Sequence, residues 1–299
     1  MNEVNLLATL TGHQNPIYCM ALDATQHKLY SAGNDKGIVE WDLITKTFSR
    51  VLCAVPASVY HMSIMESTGH LIVALRKGGL LVIDRNEPKL VAKLAVEHGS
   101  VFAFEIISNK QEIIAVDEYG MAYVWSLVSY ELLYSFRIST QTVRSIVVSF
   151  TDNRIYFGDK SGQIHMHSLV DYEHQYSAQI HEQNITALCL FGDKIISGSR
   201  DAKLYQLHKD TLVKEREITP HMFTVYSIVE LEKANLFATI SRDKTLKIWN
   251  HQFKLMKNIS RDKGIDSHTL SINTMVYNSN TSEIYTAGDD KLIKVWQVN

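Results

Sequence analysis

The sequence has little of what usually divides, staples or anchors a chain. Only four prolines occur in 299 residues, and no Gly/Ser-rich or Pro-rich stretch reads as a linker. No apolar run approaches the roughly 20 residues that a helix needs to cross a bilayer. The opening "MNEVNLLATLTGH" lacks a basic segment followed by a long apolar stretch, so it does not read as a secretory leader. The cysteines, Cys19, Cys53 and Cys189, are odd in number and form no CxxC pair. That excludes a disulfide framework and points to free thiols in a reducing, cytoplasmic setting. A net charge of −2 argues against bulk electrostatic binding of nucleic acid. Walker, dinucleotide, EF-hand and GxSxG signatures are absent, and "HEQNI" at His181 lacks the second histidine of a zincin. "HMH" sets His165 and His167 on one side of a strand, but no third ligand accompanies them. No metal and no cofactor is expected.

What the sequence has instead is one phrase written three times. Residues 32–42 read "AGNDKGIVEWD", residues 240–250 "ISRDKTLKIWN" and residues 287–297 "AGDDKLIKVWQ". Anchoring on the tryptophan gives the series Trp41, Ile83, Trp125, His167, Leu207, Trp249 and Trp296, with steps of 42, 42, 42, 40, 42 and 47 residues. A period of this size signals a repeat architecture, whose neighbouring units share one core. The chain is therefore expected to be a single domain over 1–299 rather than the two that length alone suggests. Each unit holds short runs rich in β-branched and aromatic residues, such as "IYCMALD", "KLYSAG" and "GIVEWDL", bounded by Asn, Asp, Gly or Ser. Amphipathic helices are not evident. The expected class is all-β.

These features resemble the WD-repeat β-propeller family: Gly12-His13, Trp41-Asp42, and the Asp-Lys turn six residues before the tryptophan. Units one, six and seven match well. Units two, three and four are degenerate, with Lys77, Tyr119 and Ser161 where the Asp should fall. The resemblance implies seven blades of four antiparallel strands, closed by an N-terminal strand (Val4–Leu10) that completes the last blade.

Three units carry a His, a hydroxyl and an Asp at fixed distances before the tryptophan. They are His13/Ser31/Asp35/Trp41, His221/Thr239/Asp243/Trp249 and His268/Thr286/Asp290/Trp296. A Ser-His-Asp nucleophile uses the same residue types, but an active site is needed once and does not exchange Ser for Thr freely. The resemblance implies a hydrogen-bond network inside each blade, and no catalytic residue is expected. Unit five keeps His181, Ser197 and Asp201 without the tryptophan. Units two and four lack both His and Asp at these positions, so their blades are expected to lean on apolar packing.

Two sets of repeat-equivalent positions point to a binding face around the central channel. At the start of the innermost strand stand Tyr18, Tyr60, Phe102, Arg144, Thr186, Tyr226 and Asn273. At the tip of the turn seven before the tryptophan stand Asn34, Arg76, Glu118, Lys160, Arg200, Arg242 and Asp289. Aromatic and Arg residues together are the composition of interaction hot spots. A basic rim favours an acidic or phosphorylated segment. The expected function is a non-enzymatic scaffold for protein or peptide partners within a larger complex. The alternatives are a propeller enzyme of hydrolase or lactonase type, and a polyanion binder.

Overall fold

The computed structural model describes residues 3–97 and 99–298. Its strands are short because the turns come early and are built into the repeat. The residue five before each tryptophan position has a left-handed backbone in all seven units: Lys36, Gly78, Gly120, Gly162, Ala202, Lys244 and Lys291. Such a residue turns the chain back on itself after about six residues. The result is a run of antiparallel hairpins.

The first strand, β1 (Val4–Leu10), stands apart from the blade that follows it. Blade one is β2 (Ile17–Asp23), β3 (Lys28–Gly33), β4 (Gly37–Asp42) and β5 (Thr47–Ala54), paired in that order from the inside outward. Blade two repeats it with β6 (Val59–Ile64), β7 (Leu71–Leu75), β8 (Leu80–Asp84) and β9 (Lys89–Leu94). The same four-stranded order recurs until seven sheets are made. The innermost strands neighbour one another in a closed circuit, with β2 touching both β6 and Ile272–Asn278.

Middle strands are buried on both faces, as in Leu71–Leu75, because each sheet is sandwiched between two others. The core is accordingly a set of seven apolar seams, one between each pair of adjacent blades. Closure follows the expected route. β1 pairs antiparallel with Ile293–Val298, from Val4 opposite Val298 to Leu10 opposite Ile293, and supplies the outer strand of blade seven. The long step before Trp296 is a loop with a short 3-10 turn at Arg261–Lys263. Its Asp266 reaches the nearly buried ammonium of Lys294 at 3.1 Å, and Thr9 of β1 approaches the same group at 3.3 Å.

Candidate functional site

Inside blades one, six and seven the polar residues meet as chains of hydrogen bonds. The Trp41 indole N–H donates to Ser31 Oγ at 2.7 Å, and that hydroxyl lies 2.6 Å from His13 Nε2. His13 Nδ1 is 2.6 Å from Asp35. An indole N–H can only donate, so the serine oxygen accepts from it and its own O–H donates a hydrogen bond to Nε2. The opposite ring nitrogen then carries the hydrogen that faces the carboxylate. The corresponding distances are 2.9, 2.8 and 3.0 Å for Trp249, Thr239, His221 and Asp243. They are 2.9 Å at all three links of the Trp296, Thr286, His268 and Asp290 chain. Ser31, Thr239 and Thr286 are fully buried, so no substrate carbonyl could reach these hydroxyls in this structure. Blade five keeps the lower links, His181 to Ser197 at 2.9 Å and to Asp201 at 3.0 Å, beneath Leu207.

Blade four departs from the expectation of purely apolar packing. Its carboxylate, Asp159, comes two residues earlier than the repeat predicts and collects Ser139 Oγ at 2.7 Å and His165 Nε2 at 3.0 Å. His165 Nδ1 in turn lies 2.9 Å from Ser177 Oγ. Burial opposes ionisation of Asp159, but bonds from His165, Ser139, Ser161 and the Gln163 N–H hold its carboxyl down to about 2. His167, at the tryptophan position, instead bonds the Tyr172 carbonyl at 2.9 Å and meets Phe157 edge-on. The "HMH" pair therefore does packing and bridging work. Among the described residues, no group of three or more His, Cys, Asp or Glu is placed to hold a metal ion.

The second site is the channel mouth. Repeat symmetry brings Tyr18, Tyr60, Phe102, Arg144, Thr186, Tyr226 and Asn273 together around one funnel of about 340 Å³, with Asp289 on its rim. Tyr60 stacks on Phe102 with ring centres 5.2 Å apart, and Tyr18 leans on Tyr60 at 6.0 Å. The Arg144 guanidinium lies 4.3 Å above the Phe102 ring while remaining exposed. Asn273 and Thr186 are partly used by the scaffold. Asn273 Nδ2 bonds the Ile17 carbonyl at 3.0 Å and Asp289 at 2.7 Å, and the Thr186 hydroxyl bonds the Val225 carbonyl at 2.5 Å.

Arg76, Lys160, Arg200 and Arg242 are all exposed. Among the described residues, none of these four, nor Arg144, forms an ion pair. Periodicity did not single out Met222 and Phe223, which are 81% and 51% exposed directly after His221. Arg242 sits 5.9 Å from the Phe223 ring. An apolar pair inside a polar loop was their only signal.

This is a repeat-built ring with a polar latch in several blades and an aromatic mouth that carries Arg144 and Asp289. Residues 4–42 and 261–297 match the family model for the WD domain, G-beta repeat. Taken with the seven four-stranded blades, those matches make the chain a WD-repeat β-propeller. No curated protein matches the chain significantly. No helix among the described residues is long and apolar enough to cross a membrane.

Proposed function

We propose that the protein is a non-enzymatic interaction scaffold whose channel mouth grips an acidic or phosphorylated segment of a partner protein. The observation that carries this reading is the exposed Arg144 guanidinium over a stacked aromatic wall, without an ion-pair partner among the described residues; the exposed cations Arg76, Lys160, Arg200 and Arg242 at the repeat-equivalent turn tips add to it. An anionic side chain entering there would form charge-assisted bonds with Arg144 and the rim, while its backbone and apolar atoms cover Tyr60, Phe102 and Tyr226. The aromatic rings already pack on one another, so little ordering entropy opposes binding. The reading supports a cytoplasmic scaffold within a larger assembly, built as a single domain.

The test is a pull-down with the Arg144→Glu/Tyr226→Ala double variant, alongside wild type and with folding checked by circular dichroism. Loss of acidic or phosphorylated partners is expected. Retention of every partner by a folded variant would remove the proposal. If the same variant instead loses only salt-sensitive binding to heparin or RNA, the mouth is a polyanion site.

A further inference from the structure

Blade two lacks its polar latch, and the space is not refilled. Where blade one has Trp41, blade two has Ile83. Where blade one has His13 and Asp35, blade two has Val55 and Lys77, each 42 residues on. The pairing confirms the equivalence: Trp41 stands opposite Phe48, and Ile83 opposite Leu90. In blade one the volume is full, because Trp41 packs edge-on against Phe48 at 5.9 Å and lies beside His13 and Gly12. In blade two the same positions border an open pocket of about 400 Å³. Its walls are Val55, Leu75, Leu81, Ile83 and Leu90, with the stem of Lys93 running past Gly78. Leu75, Leu81, Ile83 and Val55 are buried, so the floor is apolar and well fixed.

The rim carries one sign of charge. Lys77, Lys89 and Lys93 border the opening. Lys89 pairs with Glu87 at 2.9 Å, while Lys77 and Lys93 form no ion pair among the described residues. Tightly packed interiors leave few voids of this size, and an apolar void open to solvent forfeits contacts that a ring would restore.

We propose that this pocket receives an aromatic side chain of a partner protein, carried beside acidic residues. The ring takes the place that the missing indole leaves, and the flanking carboxylates meet Lys77 and Lys93. This contact lies in the outer half of blade two, separate from the channel mouth, and does not rest on the function proposed for it.

The probe is the tripeptide acetyl-Trp-Glu-Glu-amide, titrated into the full chain with the methyl resonances of Leu81, Ile83 and Leu90 observed by NMR. Saturable shifts confined to these methyls are expected. The Lys77→Glu/Lys93→Glu variant should weaken binding by roughly tenfold or more, and acetyl-Trp-Lys-Lys-amide should not bind. Ile83→Trp should fill the pocket and abolish the Leu81 and Leu90 shifts. If that variant does not fold, Leu90→Glu on the exposed rim gives the same reading. The Arg144→Glu/Tyr226→Ala variant should leave the shifts intact, and losing them there would place the peptide at the mouth and overturn the proposal. No saturation up to millimolar peptide, or equal binding of the lysine tripeptide, also overturns it. So does saturation by decanoate without any by the acidic tripeptide, which would make the pocket an acyl-chain site.

Discussion

At the scale of the residue, a buried carboxylate acts according to its neighbours. Burial disfavours the Asp243 charge, yet bonds from His221, Thr245 and the Met222 N–H hold its carboxyl well below the usual range. Its stabilising effect is therefore present above the ordinary carboxylate pKa of about 3.9 and is lost as pH falls toward the depressed value. His221 acts in the same direction. Burial lowers its pKa, so the unfolded chain takes up a proton below about pH 6.5 that the folded one refuses. Asp243→Ala should cost about 1–3 kcal/mol in urea unfolding at pH 7, since it strips the Met222 and Thr245 N–H groups of their acceptor and leaves His221 Nδ1 only the Thr245 hydroxyl. An unchanged midpoint would show that this latch contributes nothing.

Glu105 is the opposite case. It lines the channel near Phe104, and burial alone pushes its carboxyl up to about 7. Between about pH 4.3 and 7 the folded state keeps a proton that the unfolded state has lost, so stability falls as pH rises through that window. Glu105→Gln should match wild type at pH 4. It should exceed wild type by about 2 kcal/mol at pH 8, a figure discounted because the channel admits solvent. Parallel stability profiles for the two proteins would show that the carboxyl stays hydrated.

At the scale of the element, the seven turns use two chemistries for one backbone shape. Units one, six and seven put Lys in the left-handed position after an Asp, and unit five puts Ala there. Units two, three and four use Gly. At Gly120 a Cβ would stand 2.2 Å from the Ser139 carbonyl, and the residue's φ is +76°. Gly120→Ala should therefore lower stability by about 2 kcal/mol or more, read as a shift in the thermal midpoint. A variant that melts with wild type would mean that the neighbouring strand yields.

The ring, the blade count and the three Trp-anchored latches were legible because they recur at one spacing. The substitute latch of blade four was not, because Asp159 and His165 lie off that spacing and meet only through the hairpin. The cavity in blade two was half legible. Ile83 and Val55 announce what is missing, but whether Leu81 and Leu90 collapse into the gap is decided by packing. The mouth was readable as a set of equivalent positions. The engagement of Asn273 and Thr186 with backbone carbonyls was not, since those acceptors belong to other blades.

At the scale of the whole molecule, stability depends on the join between β1 and Ile293–Val298. Val4 and Leu10 are buried in it. Removing residues 1–11 should expose the backbone edge of the last strand and cost at least about 3 kcal/mol, lowering the melting temperature and promoting self-association. A melting temperature equal to that of the full chain would show that the ring holds without this strand.

The join also sets a timetable. β1 precedes every blade in the chain, yet its partner strand comes after all of them, with Val4 opposite Val298. Every blade from one to six can condense on its nearest neighbours as it is made, but β1 must wait, unpaired, until Ile293–Val298 has been made. Closing the ring is therefore a long-range step that leaves an unpaired edge exposed until it happens, and a permuted gene opened between blades one and two would remove that wait.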